Sequence, residues 1–457
     1  MTIDIRSAAL AVMLATSAWA SSAGADEGLS RDALFDDQPS ADQPSADQAS
    51  RPKAPEQAWK GFAQGELART TADPAHWSKA RLRLDLSRQG QLSEQVKWKI
   101  GGRFDYDAVY DRSGFYPEAV RQDQRAGFAL RENYLDISAG DWDFRLGRQH
   151  VVWGEMVGLF VADVVSAKDL REFLLPEFEV LRIPQWAARA EYFKGDWHAE
   201  MVWIPAPSFD EIGKPGADFY PYPIPGPGGT VILNEDLPSR KLANSNYGLR
   251  LSMLKSGWDV SGFYYHSLDA EASFYRQVTV PITTPVFIYR PRHDPIDQLG
   301  ATMTRDLDWA VLKGEAVYTD GRRFNVTRLS QADGLVRQNT FDYALGLDIS
   351  LPAETRLNLQ FFQRLYADHD PDTLQDKVES GASVLVNGKL GQDIEGQLLL
   401  ISSLNRSDRL IRPRLAWNIQ QNWRLMVGAD VFHGPATGLF GRYDNKDRLY
   451  TELRYSF

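Results

Sequence analysis

The chain ends on Leu449-Tyr450-Thr451-Glu452-Leu453-Arg454-Tyr455-Ser456-Phe457, and these residues follow a two-residue period. Leu449, Leu453, Tyr455 and Phe457 share one face, with Thr451 a mild exception; Tyr450, Glu452, Arg454 and Ser456 share the other. Such a strand needs an apolar medium on one side and water on the other. The pattern recurs upstream. Ala80, Leu82, Leu84 and Leu86 alternate with Lys79, Arg81, Arg83 and Asp85. Val96, Trp98, Ile100, Gly102 and Phe104 alternate with Lys97, Lys99, Gly101, Arg103 and Asp105. Phe341, Tyr343, Leu345, Leu347, Ile349 and Leu351 alternate with Asp342, Ala344, Gly346, Asp348 and Ser350. Each run approaches the roughly ten residues that cross a bilayer as a tilted strand, and helical spacing would scatter the same residues around a cylinder.

The connections have a second rhythm. Short polar turns are expected near 89–91, 139–141, 194–196, 255–257, 306–308, 352–354, 389–391 and 420–422. Longer segments lie between them at 107–125, 151–184, 205–243, 269–295, 320–339, 367–376 and 433–447, while 72–76 and 405–408 are short exceptions. Short turns on one rim and long loops on the other are the asymmetry of outer-membrane barrels, with the short side periplasmic. Trp142, Trp197, Trp258, Trp309 and Trp423 each follow a short turn at once, where an amphipathic indole would mark the headgroup boundary. The sequence predicts an all-β, transmembrane, antiparallel up-and-down barrel of about 18 strands, with 16 as the alternative, enclosing an aqueous lumen.

Composition fits that class. No cysteine occurs in 457 residues, which excludes disulfides and thiolate chemistry. Mean hydropathy is −0.39 despite 13 Trp, 18 Tyr and 22 Phe, as expected where half of each strand is wet. The longest mostly apolar run after the N-terminus, Val151–Val165, is too short and too charged for a membrane helix. At the N-terminus, Arg6, the apolar stretch from Ala8 to Ala18, and small residues at Ala18-Trp19-Ala20 and Ala23-Gly24-Ala25 have the layout of a signal peptide, expected over 1–25. Residues 26–57, acidic and with a tandem Pro-Ser-Ala-Asp-Gln, read as a disordered periplasmic arm. The barrel is expected over 58–457, in the outer membrane of a Gram-negative bacterium once the leader is cleaved. A pI near 5.3 argues against nucleic acid as a partner.

Residues opposite the apolar face should line the lumen. Arg81, Arg83, Lys97, Lys99, Arg103 and Arg145 come from early strands, and Arg412, Arg414, Arg424 and Arg454 from the last three. Closure brings first and last strands together, so these ten are expected to form one basic wall. Asp342, Asp348, Glu379, Asp393 and Glu395 are expected across from it, giving a transverse field. The segment 151–184 is too apolar for an exposed loop yet carries Glu155, Asp163, Asp169 and Glu172. It is expected to fold inward and narrow the pore; a lid at the outer mouth is the alternative. Ser166 and Asp169 suggest a capping box, with Pro176 ending a helix near Leu175. The eight prolines from Pro205 to Pro238 predict a stiff outer loop over 205–243.

Arg145-Leu146-Gly147-Arg148-Gln149, Val152-Trp153-Gly154-Glu155, Asp163-Val164-Val165, Asp169-Leu170-Arg171-Glu172-Phe173 and Arg182-Ile183-Pro184 resemble an uncharacterised proteobacterial family of outer-membrane, porin-like proteins. Members are often encoded near exporters of the resistance-nodulation-division type and lipid-carrier-like periplasmic proteins. The resemblance implies envelope transport, of lipophilic cargo among others, and brings no catalytic residues. Ser166-Ala167-Lys168 stands where the family has a polar residue and then proline after the Val-Val pair.

The seven histidines are dispersed, and no phosphate loop or nucleophile elbow occurs, so neither an enzyme nor a cofactor is expected. Asp368, Asp370, Asp372, Asp376 and Glu379 have the spacing of a calcium loop, but Thr373 replaces its glycine; a loose surface cation site is the most they suggest. The function read from the sequence is a porin-like channel or facilitator for small solutes, anionic or lipophilic. The alternatives are an export or lipid-transfer component working with an inner-membrane pump, and an outer-membrane lipid-acting enzyme. Expected partners are outer-membrane lipid and lipopolysaccharide, the barrel-assembly machinery, and an inner-membrane exporter or periplasmic carrier.

Overall fold

The computed structural model describes residues 58–457 except 72, 113, 155, 157–160, 222–228 and 280–285. The leader (1–25) and acidic arm (26–57) expected from the sequence lie outside the described residues. The period-two segments pair in chain order as strands β1 (Lys60–Thr70), β2 (Trp77–Ser93), β3 (Val96–Asp107), β4 in two pieces (Ala126–Leu130 and Asn133–Ala139), β5 (Trp142–Gln149), β6 (Gln185–Lys194), β7 (Trp197–Ala206), β8 (Asn246–Lys255) and β9 (Trp258–Leu268). They continue as β10 (Pro295–Asp306), β11 (Ala310–Asp320), β12 (Thr340–Leu351), β13 (Thr355–Tyr366), β14 (Val378–Lys389), β15 (Ile394–Ser403), β16 (Arg409–Gln420), β17 (Trp423–His433) and β18 (Arg448–Ser456). Neighbours are antiparallel, and β18 returns to β1 in a register running from Phe62↔Ser456 to Thr70↔Arg448. The result is a closed barrel of 18 strands, not 16.

The alternation sorts side chains as closure demands. Leu82, Leu84, Ile100, Phe104, Leu345, Leu398, Leu415 and Leu449 form part of an exposed outer belt. The five tryptophans after short turns sit at one end of the strands, and Trp186, Trp203, Tyr247, Tyr264, Tyr318 and Phe341 are exposed towards the other. Two aromatic girdles flanking an apolar band are the outer surface of a transmembrane barrel. Ser256 and Gly257, both at positive φ (53° and 75°), close the β8–β9 hairpin in the backbone region that matches strand twist.

One expected turn was misplaced. β2 runs on to Ser93, so its turn lies at 94–95 and not 89–91; Gly90 still pairs with Trp98. Polar Gln89 and Gln91 looked like a break, but ladder hydrogen bonds are indifferent to side-chain polarity. In β4 the register to β3 steps from Leu130↔Gly102 to Tyr134↔Lys99, placing one extra residue on β4. This bulge lets the consecutive side chains of Arg131 and Glu132 both reach inward contacts, with Arg182 O and Lys99.

Leu345 lies mid-strand on the outer belt. Leu345→Arg is expected to destabilise the barrel by about 2–4 kcal/mol in lipid, the cost of arginine at the bilayer midplane. Urea titration of the lipid-embedded protein, read by gel mobility, checks this; an unchanged midpoint would place Leu345 away from hydrocarbon.

Candidate functional site

The parity that turns leucines outward turns charge inward. Lys79, Arg81 and Arg83 descend β2, Arg412 and Arg414 stand on β16, and Arg448 and Arg454 on β18. With Gln64, Glu66, Tyr450 and Glu452 they line a cavity of about 440 Å³. Five of the ten basic residues expected on the wall meet there: Arg81, Arg83, Arg412, Arg414 and Arg454. Arg103 stands beside it, holding Val180 O at 3.2 Å and Asp105 at 3.1 Å. The other four are elsewhere: Lys99 pairs with Glu132, Arg145 with Asp136 and Arg424 with Glu395, while Lys97 is exposed.

The connection between β5 and β6 enters this space. At its start, Val151, Trp153, Ala162 and Val165 pack on Ala187, Val202, Ile204, Phe263, Tyr265 and Val317 of the inner wall. Glu315 of β11 accepts hydrogen bonds from the backbone N–H groups of Met156 and Ala162, both 2.8 Å. Asp163 and Arg182, both buried, pair at 2.9 Å and tie the start of the segment to its end. Further on, Glu172 meets Lys79 and Arg81 of β2 and lies 3.7 Å from Arg448 of β18. Arg412 of β16 donates to Leu175 O at 2.7 Å. β11 and β2 are nine strands apart either way around the ring of 18, so they face each other. A segment holding both has crossed the lumen. The segment, called the plug from its place in the lumen, is strapped to opposite walls.

Its interior differs from the sequence expectation in one respect. No helix runs from Ser166 to Leu175; Ala167–Lys168 pairs with Arg182–Ile183, and the short helix is Phe178–Leu181, after the proline. Ser166 Oγ donates to Val151 O, and Asp169 takes the guanidinium and backbone N–H of Arg171, so the expected capping box between Ser166 and Asp169 does not form. Glu155 lies outside the described residues. Phe173 sits at φ 55°, a strained value for an aromatic residue. It is held there by packing on Phe432, Phe440 and Tyr443.

Glu172 stands against the basic wall. Glu66 bonds Lys79 at 2.7 Å and Arg81 at 2.6 Å, so two carboxylates interleave with two cations. Buried charges without such partners would be strongly destabilising, by about 3–5 kcal/mol for a broken pair. Asp430 is fully buried between Arg412 (2.7 Å) and Arg448 (2.8 Å). Glu66, Lys79, Glu315, Asp430 and Arg448 were not singled out from sequence, though parity places each on an inward face. The expected acidic wall does not form a separate feature. Asp342 pairs with Arg364, Asp348 with Lys313, Glu379 accepts from Tyr366, and Glu395 meets Arg424 inside the basic sector. β15 adjoins β16, so its acids could not lie opposite.

Seven cations and four acids line the 440 Å³ cavity, leaving it net positive. A second space of about 800 Å³ lies on the long-loop side and shares Lys79, Arg81, Glu172 and Pro176 with the first. Glu172 and Pro176 of the plug line both spaces. Above the plug, Asp218 of the β7–β8 loop accepts from His76 (3.0 Å) and Tyr116 (2.6 Å) and pairs with Lys446 (3.1 Å), while Phe219 packs on Phe432 and Tyr443. The proline-rich connection thus folds in at Ala217–Tyr220 before its central prolines, most of which lie outside the described residues. Burial opposes charge on His76, but the hydrogen bond and attraction of Asp218 outweigh it, and its pKa lies above the ordinary value. The five residues with calcium-loop spacing do not converge: Asp370 and Asp372 hold Arg328, Asp376 holds Arg406, and Glu379 turns to Tyr366.

A family model described as "Protein of unknown function (DUF1302)" matches residues 7–457. No curated protein matches the sequence. Among solved structures, the chain is similar to OccAB2 of Acinetobacter baumannii at 9% identity and a TM-score of 0.52, covering 87% of this chain and 97% of that one. It is also similar to the outer membrane channel DcaP of the same organism, at 11% identity and a TM-score of 0.41, covering 88% and 96%. At 9% identity the likeness to OccAB2 is one of fold alone.

Each charge-assisted bond to Glu315 contributes about 1.5–3 kcal/mol. Glu315→Ala is therefore expected to free one end of the plug and raise single-channel conductance in planar bilayers, with Glu315→Gln intermediate; equal conductance in all three proteins would mean the strap does not hold the plug. A histidine whose folded pKa is raised gives stability that is complete below its unfolded pKa of about 6.5 and lost as pH climbs through the folded value. Exchange protection of the Tyr220 amide, corrected for intrinsic rate, should fall as pH rises above the ordinary histidine value of about 6.5, and His76→Gln should flatten that trend. Rising protection would reverse the sign assigned to His76.

Proposed function

The chain belongs to the DUF1302 family of proteins of unknown function, and we propose that this member is a porin-like outer-membrane channel for small anionic solutes, plugged at rest by the 150–184 connection. The observation that carries this reading is the net positive cavity beneath Glu172, where Arg83, Arg414 and Arg454 stand on adjoining sectors of one wall. A positively lined constriction with low-dielectric walls concentrates anions and repels cations. The barrel closure, the outer apolar belt and the two aromatic girdles support residence in the outer membrane of a Gram-negative bacterium. The short-turn rim then faces the periplasm, and the basic cavity lies on the periplasmic side of the plug. A solute entering from outside meets the 800 Å³ space first and reaches the basic cavity only as Glu172 gives way. An anion can replace Glu172 on Lys79, Arg81 and Arg448, which offers a physical route for solute to displace the plug.

Reversal potentials in a KCl gradient test the proposal. The wild type should favour chloride, and Arg83→Gln with Arg414→Gln and Arg454→Gln should shift the potential towards cation preference. Cation selectivity in the wild type, or no shift on neutralising the three arginines, would overturn it.

A further inference from the structure

A second polar group sits on the lumen wall away from the basic cavity, near the short-turn rim. β6 and β7 are joined by the turn at 195–196, and their register sets Glu191 opposite Glu200 and Phe193 opposite His198. All three polar side chains share the inward face with Val202 and Ile204, which carry the plug. His198 Nε2 lies 3.1 Å from Glu191 Oε1, and its ring stacks on Phe193 at 4.4 Å, which fixes the imidazole plane. Donor atoms from Glu191, His198 and Glu200 all lie within 4.8 Å of one another. The remaining oxygen of Glu191 is held by Arg189. Glu200 is only 4% exposed, and its Oε1 has no hydrogen-bond partner among the described residues. The nearest cross-strand cation, Arg250, turns its Nε to Ser261 at 3.1 Å. Asp143 pairs in register with Glu191 and adds a third acid to this row.

A buried carboxylate without a partner costs free energy, and it is normally relieved by a cation. The neighbouring donors fit a metal better than a proton. One imidazole nitrogen and two carboxylate oxygens are a set suited to zinc and similar divalent transition metals. Around a tetrahedral zinc with bonds of about 2.0–2.2 Å, donors lie about 3.4 Å apart, so the His198–Glu191 pair at 3.1 Å already fits and a separation of up to 4.8 Å must close by about 1 Å through side-chain rotation. Arg189 on the outer oxygen of Glu191 is then the hydrogen-bonding support that orients a ligand.

We propose that Glu191, His198 and Glu200 form a divalent transition-metal site on the lumen wall, open to solvent at the periplasmic rim. On binding, the ion takes one oxygen from each glutamate and Nε2 of His198, whose contact with Glu191 opens while the neutral imidazole carries its one proton on Nδ1; water fills the remaining positions. This site does not depend on what the pore conducts. Its three ligands sit on a rigid hairpin whose upper half carries the hydrophobic seat of the plug, so metal would stiffen that part of the wall.

Tag-free protein stripped with a chelator and titrated with Zn²⁺ alone in a calorimeter should take up one ion per chain. Co²⁺ in its place should give a visible absorption band of nitrogen and oxygen ligation. Glu200→Gln, nearly isosteric, and His198→Ala should each weaken uptake by more than the roughly 10–100-fold that loss of an outer partner costs. Heat-modifiable gel mobility would confirm that each variant folds, and Glu200→Gln alone decides the matter should His198→Ala fail to fold. No uptake by the wild type, or uptake unchanged in Glu200→Gln, would overturn the proposal and leave adventitious surface binding only.

Discussion

Every backbone N–H and C=O at bilayer depth must find a partner within the protein, because hydrocarbon offers none. In this chain the requirement is met at the seam where β18 pairs with β1 over nine positions. The rest follows from that seam. It removes the sheet edges, fixes which side chains face lipid, and leaves only β1 between β18 and β2, which is why cations far apart in sequence share one wall. Even the terminal Phe457 takes part, donating its N–H to Gly61 O and accepting in return from Gly61 N.

A wall so rich in arginine would repel itself in a dry interior. The structure answers with interleaved acids: Glu66 between Lys79 and Arg81, Asp430 between Arg412 and Arg448, and Glu172 supplied by the plug. The plug is thus part of the wall's electrostatic balance as well as an obstruction. Its opposite end is fastened differently, by the apolar cluster around Trp153 and by Glu315 accepting backbone N–H groups. Ion pairs between side chains of plug and wall are concentrated at the Glu172 end, beside the packing of Phe173, so ionic strength or an anionic solute would loosen the two ends unequally.

Period-two alternation made the walls legible in the sequence. It marked Leu82 and Leu84 as outward and Arg81 and Arg83 as inward, and parity alone would have added Lys79, Asp430 and Arg448 had it been carried to the strand ends. The unusual composition of the 151–184 segment marked it as inward-folding. What stayed hidden was set by tertiary contact. That Glu172 would touch the basic wall, and that Glu315 would anchor the far end, depends on the path of an irregular segment with no period to read. The helix expected before Pro176 failed because Ser166 turns back to Val151 O, a partner the local sequence does not disclose, while Asp169 turns forward to Arg171.

The bulge in β4 has a wider meaning. A strand is read in two beats, inside and outside, and one surplus residue between Leu130 and Tyr134 shifts the phase of everything before it. Phe128 and Leu130 face out on even numbers, whereas Leu135 faces out on an odd one. Losing that residue would act like a frameshift in three dimensions: it would drive two greasy side chains into the water-filled interior and expose their small neighbours to lipid. In this stretch of the wall, length is therefore held as tightly as chemistry, and relatives that vary its residues freely should still keep their number.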